Sequence, residues 1–302
     1  MLVLINGLSH FGSKLKDDLR EADPSGKYIF LRTYDSKWAQ LLFILLLPFA
    51  KVVISFNGVS TRSGSLTKVL SRKKKLIMFW HGTDALLAKE RYDNKTIYRE
   101  YIDHAVHFSD APWLLDELSE VLPNSEVLDF KTIEIDPIAN NFESVQVLTY
   151  IPDNKEEFYG LDWVLEAAIN HPEVSFNIMG KSGEDETLIQ NVSYLGWIDH
   201  QKSLEFYKNS PIFLRLTQHD GNALSVAQAL SYGAEAIWTY PHPHCHLVEN
   251  KEQFILKISE LIQQKKMDLE RNQSNIDFVS THFNKKNVMA NFIKKIHDVA
   301  LS

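Results

Sequence analysis

Residues 215 to 233 read R-L-T-Q-H-D-G-N-A-L-S-V-A-Q-A-L-S-Y-G. Just ahead of them Ile212, Phe213 and Leu214 form an apolar run, and the residues through Thr217 can finish it as a buried strand. Gln218 to Asn222 is a polar turn, with Asn222 placed as an N-cap. Ala223 to Tyr232 then reads as a helix of small residues, which Gly233 is placed to stop. A helix therefore starts beside a polar loop at the end of a strand. Ligands of parallel α/β sheets bind at that position, and the free N–H groups of the first helical turn favour an anion.

Working outward, the same alternation of strand and helix runs through the rest of the chain. On the N-terminal side, strands are expected at Leu2 to Ile5, Tyr28 to Leu31, Val52 to Phe56, Leu76 to Trp80, Ala105 to Phe108 and Val127 to Ile135. Helices are expected at Ser13 to Glu21, Asp35 to Leu47, Ser63 to Leu70 and Ala111 to Leu122. Asp136 to Asn141 has a proline, two asparagines and no period, which marks it as the domain boundary. Strands then restart at Val145 to Tyr150, Ser175 to Met179, Tyr194 to Trp197 and Glu235 to Thr239. Helices are expected at Leu161 to Asn170, Ser203 to Lys208, Phe254 to Gln264 and Val288 to Val299. The pattern predicts two Rossmann-like domains facing one another, 1–140 and 141–302.

Composition narrows the function. The 302 residues are 44% hydrophobic, enough for a core in each half and too much for a disordered chain. The net charge of −7 argues against nucleic acid as the main partner. A single cysteine rules out a disulfide framework within the chain and makes a reducing, cytoplasmic compartment the expectation. No secretory signal is expected at Met1 to Ile5, because polar Asn6 follows at once. Leu41 to Ala50, interrupted by Pro48, is too short to span a membrane, which takes about 20 apolar residues.

Residues 215 to 233 resemble the donor-binding segment of retaining glycosyltransferases with the GT-B fold, group 1 or family 4-like. The signature there is an acid, a glycine, an apolar stretch, and a second acid after seven intervening residues. Asp220 takes the first place and Gln228 the second. Arg-Leu-Thr-x-His-Asp-Gly is also similar to a form found in cell-surface polysaccharide glycosyltransferases. The resemblance implies that Asp220 and the backbone after it (Gly221, Asn222, Ala223, Leu224, Ser225), with His219 beside them, hold the donor sugar and diphosphate. It implies that Gln228 meets the ribose, where an amide offers one acceptor oxygen and a carboxylate two. His81-Gly82-Thr83-Asp84 resembles the loop whose histidine reaches the donor sugar across the interdomain cleft, so His81 and Asp220 are the implied catalytic residues. The other reading of this loop is a turn in which Gly82 supplies a special backbone angle and Asp84 caps the next helix. Tyr194 to Trp197 resembles the family's strand near the nucleotide base. Gly180-Lys181 follows the strand before it and joins the implied donor site. A last helix, at about 285–300, is implied to cross back onto the N-terminal domain.

The pattern departs from the family in two places. Tyr150-Ile151-Pro152 stands where the phosphate-binding Arg motif falls, and Tyr159-Gly160 where Lys-Gly falls. Lys155 and Arg215 are the nearest replacements. The implied function is transfer of a sugar from a nucleotide-sugar co-substrate to a glycan or lipid-linked acceptor, with retention and with neither metal nor other cofactor. Two rivals stay open. One is a catalytically inactive homologue that binds a sugar nucleotide or a partner. The other is a two-domain protein for some other small ligand, although no Gly-x-Gly-x-x-Gly follows the first strand.

Three further features each have two readings. Gly12 either approaches the donor phosphates from a loop between Asn6 and Gly12 or belongs to a plain strand-helix turn; Ser13-Lys14 does not complete a P-loop. Arg72-Lys73-Lys74-Lys75 is either a solvated turn or a patch for anionic lipid on the inner face of a membrane, the second reading being favoured by the apolar helix near it. Pro241 to His246 contains three histidines and the cysteine, but the prolines are expected to keep it extended with adjacent side chains apart, so metal binding is not expected.

Overall fold

Two sets of short β-branched and aromatic runs become two parallel sheets. The computed structural model describes residues 1–122, 124–135, 140–184 and 188–302. It divides into two units, Met1–Thr132 with Lys285–Ser302, and Ile133–Asn284. Of the boundary expected at Asp136 to Asn141, residues 136–139 lie outside the described residues.

The first unit runs β1 (Leu2–Gly7), α1 (Ser9–Ala22), β2 (Lys27–Leu31), α2 (Lys37–Leu46), β3 (Val52–Phe56), α3 (Gly64–Ser71), β4 (Lys75–Trp80), α4 (Thr83–Asp93), α5 (Arg99–His104), β5 (Val106–Ser109), α6 (Pro112–Glu117) and β6 (Ser125–Val127). A short 3-10 turn at Leu47–Phe49 extends α2. The second unit runs β7 (Gln146–Tyr150), α7 (Leu161–Asn170), β8 (Ser175–Met179), β9 (Val192–Gly196), α8 (His200–Asn209), β10 (Ile212–Arg215), α9 (Leu224–Ser231), β11 (Glu235–Trp238), β12 (His246–Leu247), α10 (Lys251–Met267) and α11 (Gln273–His282). The last helix, α12 (Lys285–Leu301), belongs to the first unit.

The first sheet has the order β2-β1-β3-β4-β5-β6, with every neighbour parallel. Side chains alternate along each strand, so the sheet feeds two cores. Leu4, Val53, Met78 and Trp80 face one core, which Phe43 of α2 and Leu66 of α3 complete. Val3, Ile5, Ile54 and Phe79 face the other, which Leu15 of α1 and Phe292 and Ile296 of α12 complete. With both faces covered, all five residues of β3 are buried. Lys285 fastens the start of α12 to Asp18 at 3.0 Å and Glu21 at 2.5 Å.

The second sheet has the order β12-β11-β10-β7-β8-β9, again parallel throughout. Val147, Ile178, Leu214 and Ile237 pack one face against α7 and α10. Thr149 of β7 donates its hydroxyl to the Leu214 carbonyl at 3.0 Å, so the buried polar side chain is satisfied inside the sheet.

Several expectations are corrected. Gly12 lies inside α1, not in a loop. Its missing side chain makes room for Phe30, whose ring a Cβ would meet at 2.4 Å. The strand expected at Val127 to Ile135 is only Ser125–Val127, followed by chain with no regular secondary structure. Leu128 and Phe130 alternate inward there because they pack on the second core, and core packing imitates strand periodicity. The helix at Gln273–His282 was not expected; only Asn275 and Val279 of it are fully buried, so its apolar stripe is faint.

Candidate functional site

In the second sheet β7 and β10 are neighbours, but the chain leaves them in opposite directions, through β8 and β9 on one side and β11 and β12 on the other. The strand order reverses between them. Such a switch point opens a crevice at the carboxyl ends of the strands, because the two following loops are drawn to opposite faces. Residues 151–160 leave β7 there and residues 216–223 leave β10. The two loops touch, with the Gln218 amide donating to the Phe158 carbonyl at 3.0 Å.

Arg215 is the last residue of β10. Its Nε donates to Asp220 Oδ2 at 2.6 Å, and the Thr217 hydroxyl donates to the same oxygen at 3.1 Å. Its guanidinium also lies 5.0 Å from the centre of the Tyr159 ring. Burial opposes the Arg215 charge, but the attraction of Asp220 outweighs it and the guanidinium pKa is raised. Arg215 is therefore a paired cation that positions Asp220.

The helix after this loop starts one residue later than expected. Ala223, not Asn222, is the N-cap residue of α9, and its own side chain offers no cap. Leu224 and Ser225 form the first turn. Gln228, one turn on, donates through Nε2 to Ser231 Oγ at 3.2 Å. Gly233 takes φ +73, the left-handed conformation that ends the helix. His219 stands edge-on to Tyr240, with ring centres 6.4 Å apart.

The loop after β8 joins the same edge. Gly180 takes φ +90, and a Cβ there would lie 2.8 Å from the Tyr150 ring and 3.0 Å from the Ile151 carbonyl. Lys181, nearly buried, reaches Glu156 at 2.5 Å and Asp153 at 3.8 Å. The hydrogen bond from Lys181 lowers the Glu156 pKa. Lys155, in the loop after β7, is exposed. The structure thus gathers Lys155, Gly180, Lys181, Arg215 and residues 219 to 228 along one sheet edge. Three aromatic residues stand beside them, Trp197 from the strand expected near the nucleotide base and Tyr150 and Tyr159 from the two positions where the family's phosphate-binding residues fall. Tyr150 meets Tyr159 edge-on at 6.0 Å and Trp197 at 6.3 Å. Trp197, just past β9, is 81% exposed. Aromatic residues clustered at strand ends were the available signal.

The other candidates lie in the first unit. His81 follows β4, and its ring packs among Phe11, Phe56, Phe79 and Phe130, with ring centres between 4.7 and 6.0 Å away. Neither ring nitrogen has a hydrogen-bond partner among the described residues. Burial, helped by the charge of Lys131, pushes the pKa down to about 3, so the ring is neutral near pH 7. Gly82 takes φ +151. The Asp84 carboxylate accepts from the amides of Gly58 at 2.6 Å, His81 at 2.9 Å, Gly82 at 2.9 Å and Ala85 at 3.0 Å. Asp84 is the organiser of the loop that holds His81.

The segment 241–246 is not extended. The Cys245 amide donates to the His242 carbonyl at 3.0 Å, closing a turn that brings Cys245 Sγ to 3.5 Å from His242 Nδ1. His244 stacks on Phe278 with ring centres 4.1 Å apart, and Phe278 stacks on His282 at 4.3 Å. Among the described residues no group of three or more His, Cys, Asp or Glu side chains could hold a metal ion.

No known family profile matches the chain, and no curated protein matches it by sequence. Its fold does match solved structures. A sucrose-phosphate synthase from Thermosynechococcus elongatus aligns over 100% of both chains with a TM-score of 0.69 at 10% identity. The apo lipopolysaccharide outer core galactosyltransferase WaaB aligns over 99% of both with a TM-score of 0.66 at 12% identity. The pneumococcal O-GlcNAc transferase GtfA, solved with UDP and GlcNAc, aligns over 86% of this chain at a TM-score of 0.60 and 16% identity. This chain spans only 60% of the length of that transferase chain. The two Rossmann-like units have the architecture of the GT-B glycosyltransferase fold.

Proposed function

We propose that the chain is a nucleotide-sugar-dependent glycosyltransferase whose donor binds at the β7/β10 switch point. The observation that carries this is Asp220, fixed by Arg215 and Thr217 beside the start of α9. A carboxylate held in one orientation can accept hydrogen bonds from sugar hydroxyls, and the adjoining helix start suits the diphosphate. Gln228 lies one turn further along α9, where the ribose is proposed to fall. Exposed Trp197 beside Tyr150 offers a stacking face for the base. His81, neutral and with unpartnered ring nitrogens, is the residue proposed to act in the transfer step.

The acceptor is a glycan or lipid-linked glycan of a cell-surface polysaccharide, and the transfer proceeds with retention. The enzyme works in the cytoplasm, with α2 and Arg72 to Lys75 against an anionic membrane surface. The donor is a co-substrate, and no metal or other cofactor is involved. A second reading, an inactive subunit that only binds donor or partner, is favoured by one observation. Arg215 and Lys181, cations near the expected phosphate position, are both committed to carboxylates.

The test combines binding and turnover. Thermal shifts with UDP-, GDP- and CMP-sugars identify the donor, since a ligand at 100 times its dissociation constant stabilises by about 2.7 kcal/mol. Asp220→Asn then weakens the sugar nucleotide about tenfold and leaves the bare nucleotide unchanged, whereas Gln228→Ala weakens both. Donor binding with no consumption across acceptors selects the inactive subunit. Unchanged affinity in both folded variants places the donor elsewhere.

A further inference from the structure

At the edge of the second sheet the chain's own carboxylates occupy a cation. Between Ile151 and Gly160 the loop after β7 carries three acids, Asp153, Glu156 and Glu157, against one lysine, Lys155. A loop of that sign repels a diphosphate brought beside it. Two of the acids, however, are turned onto Lys181 of the loop after β8, with Glu156 at 2.5 Å and Asp153 at 3.8 Å. The Ser182 amide donates to the same Asp153 oxygen at 3.3 Å. An ammonium and a backbone N–H, in a loop that Gly180 and Gly183 turn at positive φ, make an anion-binding corner.

Exposure separates the two sides of this contact. The Lys181 side chain is 8% exposed, against 35% for Glu156 and 49% for Asp153. The cation belongs to the floor, and the carboxylates reach it from the solvent side. A charge buried that far is costly without a counter-charge, so whatever displaces the carboxylates has to replace them. The strap that carries them is built to move as a piece. Asn154 takes φ +62 and its amide donates to Glu156 Oε1 at 3.1 Å, while the Lys155 amide donates to the Pro152 carbonyl at 3.3 Å. These bonds lie inside the strap and travel with it. One residue further on, the Glu157 carbonyl accepts from Gln218 Nε2 at 3.4 Å, which places the strap against the proposed donor loop.

We infer that Asp153 and Glu156 stand in for the donor's phosphates at Lys181 and exchange with them when the donor binds. This rests on the transferase reading, which supplies the diphosphate. It also gives the commitment of Lys181 a use, because a cation held by exposed carboxylates is kept in place for another anion. The strap competes with sugar nucleotide and nucleoside diphosphate alike. It therefore weakens donor binding and hastens release of the diphosphate product after transfer.

The experiment titrates inorganic pyrophosphate, in buffer free of divalent cations, into the wild type and variants of the strap and corner. Glu156→Gln removes the charge and keeps the shape, so it binds pyrophosphate about tenfold more tightly than the wild type. Lys181→Met binds it about tenfold more weakly. Adding Glu156→Gln to Lys181→Met recovers less than about twofold, because the gain needs the cation. Glu157→Gln removes an equal charge from an exposed position in the same loop and changes affinity less than about twofold. Tighter binding is a result that a purely structural ion pair does not give, since its loss lowers stability and improves nothing. Unchanged or weaker binding by Glu156→Gln, an equal gain in Glu157→Gln, or a full gain without Lys181 overturns the exchange. Sugar nucleotides are titrated alongside. If they bind the wild type and the pyrophosphate pattern fails, the exchange alone is lost. If none binds while the pyrophosphate pattern holds, the transferase reading is lost and the exchange at Lys181 stands.

Discussion

Asp220 and Arg215 show how much a pair can differ from its parts. Each was legible as a candidate site residue from its place beside a strand end, but their mutual bond was not, because nothing in spacing tells whether a cation faces a ligand or a neighbour. With side chains only 11% and 14% exposed, the pair is costly to break from one side. Arg215→Met should destabilise the protein by about 3 kcal/mol in urea unfolding, since it removes the cation that neutralises a mostly buried carboxylate. A loss under about 1 kcal/mol would mean that the other partners of Asp220, Thr217 among them, hold it without Arg215. His81 makes a prediction of opposite kind. Its pKa is about 3 in the folded chain, held there by burial and by Lys131, against 6.5 in an ordinary histidine. Between those values the unfolded chain binds a proton that the folded chain does not, so stability falls as pH falls below 6.5. The slope is about 1.4 kcal/mol per pH unit. From pH 7 to pH 5 the wild type should therefore lose about 2 kcal/mol more than His81→Phe. Equal losses in the two proteins would show that the ring is already protonated, or in water, when folded.

At the scale of elements, the sequence was most legible where strands are buried on both faces. The apolar runs at Val52 to Phe56 and Leu76 to Trp80 could hardly be anything else, and they became β3 and β4 nearly to the residue. Glycines were less legible, because spacing alone does not separate a loop glycine from a packing glycine. Gly12 was read as loop and is helix; Gly7, at the end of β1, does the work at the strand edge. It takes φ +131, and a Cβ there would sit 2.5 Å from the Phe56 carbonyl oxygen. Gly7→Ala should cost about 3 kcal/mol through strain and the push against β3. Gly64→Ala, at an open helix start, should stay within about 0.5 kcal/mol of the wild type. Similar midpoints for the two variants in chemical denaturation would refute the assignment of Gly7 as a close-approach glycine.

At the scale of the whole molecule, two alternating halves were readable from period alone, because each half needs its own core. The chain's return was less so: Val288 to Val299 carries a helical stripe, but no pattern states which sheet the stripe covers. In the structure Val288, Met289, Phe292 and Ile296 complete the second core of the first unit. Phe292→Ala should therefore destabilise the first unit by about 4 kcal/mol and leave the donor binding proposed for the second unit intact, measured by thermal unfolding with and without sugar nucleotide. A uniform loss in both units would contradict the division. The placement of α12 also sets an order of events during synthesis. The second unit, Ile133–Asn284, is contiguous and can fold as soon as it leaves the ribosome. The first unit is made first but completes last, waiting with one face of its sheet uncovered until α12 arrives. Its aromatic and aliphatic side chains are exposed for that whole interval, which makes the nascent chain, rather than the finished protein, the natural client of a chaperone.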